Sequence, residues 1–230
     1  MQLTDKIFIT PHDPIVGLQK TLQSMEGFKL KIVVLGPDGA GKSSVIQKLT
    51  QDLCKVGCNV KVRHLKPQII MVWRDNQEPV TLHPHGKPPR SALTSVAKIF
   101  TWLIEEWYAH LFLDKQGTVL ICDRYYHDLL VDPIRYRYGG PFWIARLVGR
   151  LMPQPELWLL LDAPADVLQA RKQEVTWKES ARQRQEYLVF VGKQLKHVIV
   201  DAAQSLDRVV IEVEHAIDAI YTLQAFGGRK

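Results

Sequence analysis

Residues 33–44 read VVLGPDGAGKSS, an apolar run that ends at Gly36 and leads through Gly41, Lys42 and Ser43 in the spacing G-x-x-x-x-G-K-S. Behind it Val45, Ile46, Leu49 and Leu53 repeat at helical spacing, and Gly57 stands where that helix would close. Strand, glycine loop and helix in this order build a phosphate cradle. The loop turns backbone N–H groups inward, and the helix start adds its partial positive charge. Gly36, Asp38, Gly39, Ala40, Gly41, Lys42, Ser43 and Ser44 would line the bound phosphates, with Lys42 bridging the β and γ oxygens and Ser43 placed to ligate Mg2+. The expected cofactors are ATP and Mg2+.

Outward from the loop, the runs LKIVVLG, NVKVRHL, TVLICD, LWLLLD and HVIVDA are separated by helix-like segments rather than hairpin turns. That alternation predicts an α/β fold with a buried, five-stranded parallel sheet and crossover helices. A helix around Ser91 to Lys115 carries Leu93, Val96, Ala97, Phe100, Leu103, Ile104 and Trp107 at helical spacing, which reads as a core-facing side. A last helix is expected from Asp207, as N-cap, through Val209, Val213, Ile217 and Ile220. The first 29 residues, the loop RDNQEPVTLHPHGKPPR and the tail AFGGRK do not read as core. His83 and His85 in that loop are explained by exposure without a metal.

With 230 residues, 46% of them hydrophobic, the chain suffices for one domain spanning 1–230. A formal charge of +6 favours an anionic partner without choosing among nucleotide, nucleic acid and lipid. No run reaches the roughly 20 apolar residues that span a bilayer, and MQLTDKIFITPHD lacks a secretory core, so a cytoplasmic protein without a membrane span is expected. Cys54, Cys58 and Cys122 imply neither a disulfide framework nor a zinc site.

Two further stretches carry chemistry. In TVLICDRYYHD a strand-like run ends in Asp123, where a carboxylate holds Mg2+ or its waters, with Arg124 directly after it. In DAPADVLQARKQEVTWKESARQRQEYLVF a strand end passes into a helix dense in Arg171, Lys172, Lys178, Arg182 and Arg184. Such a run is either a solvated face or a mobile lid, at about 171–186, that closes over the γ-phosphate.

Together these residues resemble the thymidylate kinase group of P-loop nucleoside monophosphate kinases, from about Lys31 to Tyr221. GPDGAGKSS is similar to that family's P-loop, CDRY to its Asp-Arg-Tyr motif, and LLLDAPADVLQARK to its strand leading into the lid. RQRQEYLVF and VIVDAAQSLDRVV are similar to its lid-exit and final-strand segments. The resemblance implies a P-loop kinase fold with a helical lid, Arg124 on the acceptor phosphate, and Arg171, Arg182 and Arg184 acting beside Lys42 and Asp123 in catalysis. Departures gather on the acceptor side. KIFTWL puts Trp102 near the family's arginine, and YHDLLVDPIRYRYGGPFW replaces its Ser, Tyr and Gln.

The expected activity is ATP- and Mg2+-dependent phosphoryl transfer to a nucleoside monophosphate or other small phosphorylated acceptor, with no nucleic-acid partner and with a homodimer left open. Two alternatives stand beside it. A hydroxyl acceptor, on a sugar or glycolipid precursor, would need a carboxylate base, for which Asp38, Asp128 and Asp132 are the candidates. A non-catalytic nucleotide-binding regulator would bind ATP without forming ADP.

Overall fold

A computed structural model describes residues 29–65, 88–114, 117–173 and 175–227 of the chain. The extension before β1, and His83 and His85, lie outside the described residues. The strands β1 (Lys29–Leu35), β2 (Asn59–His64), β3 (Thr118–Asp123), β4 (Leu157–Asp162) and β5 (His197–Asp201) form one five-stranded sheet in the order β2-β3-β1-β4-β5. All four pairings are parallel. The arrangement is α/β and consistent with a P-loop kinase fold, and the five strands are the five runs singled out in the sequence.

The helices are α1 (Lys42–Lys55), α2 (Ala92–Tyr108), α3 (Asp128–Val131), α4 (Phe142–Leu151), α5 (Ala165–Arg171), α6 (Trp177–Val191) and α7 (Leu206–Gly227). Alternate residues of the central strands serve two cores. Leu30, Ile32 and Val34 of β1 join Leu157, Leu159 and Leu161 of β4 and the apolar faces of α1 and α7. Val33 and Leu35 join Trp158, Leu160, Trp102 of α2, and Ala145 and Val148 of α4. Burial on both faces explains why β1, β3 and β4 read as unbroken apolar runs.

Lys31 breaks that pattern. It is 1% exposed, and its ammonium meets Glu106 at 2.9 Å and the Tyr125 hydroxyl at 3.1 Å. A partner on α2 makes this buried charge tolerable.

Three expectations are corrected. The helix beginning near Ser91 runs from Ala92 to Tyr108 and loosens into a π-helical turn at Ala109–Leu113. Ser91 is its N-cap, accepting from the Thr94 amide. Its buried positions are Ser95, Ile99, Trp102 and Glu105, whereas Leu93, Phe100, Ile104 and Trp107 face outward. The apolar spacing therefore wraps too far round the helix for one core to cover. The last helix starts at Leu206, which places Asp207 in its first turn. The basic segment after β4 is two helices rather than one, since α5 ends at Arg171 and α6 begins at Trp177 behind the Thr176 cap.

The loop after β1 sits hard against its neighbours. A Cβ on Gly36 would lie 2.6 Å from the Leu161 carbonyl oxygen, and one on Gly39, at φ +87°, would lie 2.7 Å from that of Leu168. We expect Gly39→Ala to destabilise the protein by about 2–4 kcal/mol, from left-handed strain together with overpacking. Urea denaturation checks this, and a loss well under 1 kcal/mol would contradict the close packing of loop on α5.

Candidate functional site

The carboxyl ends of β1, β3 and β4 meet where the chain order of strands reverses, the usual position of a ligand crevice in an open α/β sheet. β1 delivers the glycine loop there, and Gly41, at φ +82°, turns the chain into α1. Lys42, the first residue of α1, is buried, and its Nζ donates to the Gly36 and Pro37 carbonyls at 2.7 Å each. Asp38 Oδ1 stands 4.0 Å from the same nitrogen. Burial, and then the nearby Arg124 guanidinium, pull the Lys42 ammonium down to about 7.

β3 delivers Asp123 and Arg124. Arg124 adopts a left-handed backbone, φ 69°, rare for a side chain of its size. Its amide donates to the Val34 carbonyl of β1 at 3.1 Å. That bend aims the guanidinium at the glycine loop, where Nη2 meets Asp38 Oδ1 at 2.5 Å. On its other side Nη1 donates to both oxygens of Asp128, at 2.9 and 2.7 Å.

Asp128 is fully buried at the start of α3. It also accepts from Tyr136, at 2.6 Å, and from Tyr187 of α6. Burial alone would raise the Asp128 carboxyl; the Arg124 guanidinium and the two hydroxyls outweigh it and hold the group below the usual carboxylate range. Burial, then the Asp128 charge, pushes both tyrosines well up, so they remain donors.

Arg135 approaches from the loop after α3 and meets Asp38 Oδ2 at 2.5 Å. Asp38 is thus held between two arginines that come from different parts of the chain. Sequence reasoning missed Arg135, Tyr136 and Tyr187. The repeated Arg and Tyr of PIRYRYGG were the visible signal, and nothing in the sequence shows where that loop turns.

Asp123 Oδ2 lies 3.0 Å from Nδ1 of His64 on β2 and accepts from it in the tautomer that carries its proton there. Asp123 and Ser43 line one cavity of about 350 Å3, together with His64, Ile46 and Thr50. A hydroxyl and a carboxylate are hard oxygen donors of the kind Mg2+ takes. Among the described residues no group of three or more His, Cys, Asp or Glu is gathered for a metal. Phosphate oxygens and water would have to complete such a site. A wider cavity, about 820 Å3, runs between α4 and α6 past Phe142, Arg146, Arg150 and Phe190, and no residue of the glycine loop lines it.

The arginines of the basic segment bond partners outside the glycine loop. Arg171 donates to the Ala202 carbonyl at 2.7 Å. Arg182 pairs with Glu179 and donates to the Val131 carbonyl, and Arg184 forks onto Asp162 at 2.7 and 2.8 Å. Trp102 is 4% exposed, edge-on to Tyr126 and Tyr136, and its indole nitrogen is buried without a hydrogen-bond partner. Cys54, Cys58 and Cys122 are free.

No family model matches the chain. Over 195 residues it is 26% identical to a probable thymidylate kinase of Staphylothermus marinus, covering 81% of this chain and 93% of that protein. The likeness is distant.

The Lys42 ammonium gives the site a titration signature. Its folded value of about 7 lies below the reference 10.5, so the native state holds fewer protons between those values. The cost of burying the charge is full below about pH 7 and is relieved as pH rises towards 10. Lys42→Met should therefore raise the Tm of the ligand-free protein, more near pH 6 than near pH 10. Polyphosphate should draw the proton back, so ATP binding near pH 8 should take up a proton in the wild type and not in Lys42→Met. Calorimetry in buffers of different ionisation enthalpy reads this directly, and equal uptake in both proteins would remove Lys42 from the phosphate site.

Proposed function

We propose that the chain transfers the γ-phosphoryl group of ATP to a nucleoside monophosphate or a related small phosphorylated acceptor. The observation that carries this reading is the Arg124 guanidinium, fixed between Asp38 of the glycine loop and the buried Asp128. A charge-bearing fork held beside the nucleotide loop suits a second phosphate, because arginine matches phosphate geometry with two parallel donors.

In this mechanism Lys42 and the loop amides hold the β and γ phosphates, and Arg124 orients the acceptor phosphate in line with the γ-phosphorus. An acceptor oxygen forms the new P–O bond while the bond to the β-bridging oxygen breaks and ADP leaves. The attacking oxygen is already ionised, so no proton has to be taken. Mg2+, held by Ser43 and Asp123, would supply neutralisation of charge on the phosphates. Arg171, Arg182 and Arg184 would reach that charge only by leaving their present partners, so the 171–186 segment would have to rearrange to serve as a lid.

The carboxylates required by a hydroxyl acceptor are otherwise employed. Asp38 takes two arginines, and Asp128 takes an arginine and two tyrosines. Asp132 takes the Arg135 amide at 3.1 Å and Gln183 at 3.2 Å. A base with its lone pairs filled by strong donors is a poor proton acceptor.

ADP release measured over nucleoside monophosphates, nucleosides and phosphosugars tests the proposal. Product should form with phosphorylated members and not with their dephosphorylated counterparts. Arg124→Lys, which keeps the charge and loses the fork, should lower kcat/KM for the acceptor by about 10–100-fold. The KM for ATP should stay close to wild type. Turnover of a neutral nucleoside or sugar, insensitive to that substitution, would overturn the phosphorylated-acceptor reading.

A further inference from the structure

The contact between Arg135 and Asp38 is more than one ion pair requires. Asp38 already has a guanidinium on Oδ1 from Arg124, and the second one on Oδ2 arrives from a separate loop. That loop is pinned on both sides of Arg135. Its amide donates to Asp132 Oδ1, the next side chain, Tyr136, is fastened to Asp128, and Tyr138 N donates to the Pro133 carbonyl. Two like charges are thereby brought to one small anion, and Lys42 stands 4.0 Å from it. Burial and then the Arg124 guanidinium work against the charged form of Arg135, and the Asp38 carboxylate outweighs both and holds the group above its ordinary range, so one small anion offsets the like charge beside it.

The carboxylate of Asp38 occupies the bite of two arginines in the way one edge of a phosphate group would.

We propose that Arg135 is the second arginine of the acceptor-phosphate seat, and that Asp38 is the internal anion which fills this seat until a phosphate monoester displaces it. The proposal rests on the phosphorylated-acceptor reading and deepens it. It makes the acceptor's phosphate, rather than its sugar or base, the group for which the loop at residues 132–138 is shaped. It also gives Arg135 a binding role, distinct from that of a clamp that only stiffens the glycine loop.

Direct binding tests this without depending on turnover. The full chain is loaded with Mg2+ and the non-hydrolysable ATP analogue AMP-PCP, which occupies the glycine loop, and methyl phosphate is titrated in by 31P line broadening. Wild type should bind methyl phosphate, Arg135→Gln should weaken it by about 10–100-fold, and Arg135→Lys should fall between the two. AMP-PCP affinity should be unchanged in both variants, which also shows that they fold. Asp38→Asn removes the competing anion and should tighten methyl phosphate binding, whereas loss of a purely structural clamp would weaken it.

Four results would overturn the proposal: no methyl phosphate binding by wild type, Arg135→Gln binding like wild type, Arg135→Gln losing AMP-PCP and methyl phosphate in equal measure, or Asp38→Asn weakening methyl phosphate binding. Absence of ADP formation with any phosphorylated acceptor would instead overturn the functional reading and leave these binding results standing.

Discussion

Arg124 carries a full charge into a place where water can solvate little of it, and the rest of the site is arranged around making that tolerable. Its side chain is 13% exposed and meets one carboxylate on each side, Asp38 and Asp128. Removing one partner of such a buried pair costs about 3–5 kcal/mol, because the other is left uncompensated. Asp128 is the deeper of the two and has no exposure of its own, so it depends on Arg124 and on two tyrosine donors. Tyr187 lies on α6 and Tyr136 on the loop after α3, and Asp128 ties both to the end of β3. A glycine loop, a strand end, a surface loop and a helix of the basic segment are thereby coupled through one guanidinium.

The sheet makes this coupling possible. Parallel strands put all their carboxyl ends at one edge, and the order β2-β3-β1-β4-β5 brings the loops after β1 and β3 side by side. The pairing of β1 with β3 sets Val34 opposite Asp123, so the residue after Asp123 can bond the Val34 carbonyl and turn back over the glycine loop. The left-handed backbone of Arg124 is local strain of the kind that persists where its surroundings over-determine it, and here two carboxylates do so.

Much of this was legible in the sequence. β1, β3 and β4 stood out because strands buried on both faces must be apolar throughout, the edge strands β2 and β5 showed through β-branched residues such as Val60, Val62, Val198 and Ile199, and the glycine loop announced itself by spacing between a strand and a helix. Asp123 and Arg124 were legible because they terminate a strand beside that loop. What escaped has a common physical cause: partners far apart in sequence. Lys31 sits inside an apolar strand because Glu106 meets it from α2, a pairing no local pattern encodes. Arg135 and Tyr187 come to the site only through the course of a loop and the docking of a helix. The outward face of α2 was misjudged for a related reason, since apolar spacing specifies an amphipathic helix without saying how much of the stripe the core will cover.

In the proposed reaction the acceptor is an anion that meets arginine, rather than an alcohol that must give up a proton. The chemical nature of the bond formed decides this in one measurement. The protein is incubated with Mg2+, γ-32P-labelled ATP and a mixed pool of nucleoside monophosphates, sugar phosphates and their dephosphorylated forms, and the labelled product is characterised by its linkage. The account predicts label in a phosphoanhydride, next to a phosphate the acceptor already carried. Label in a new phosphomonoester on a hydroxyl would contradict it.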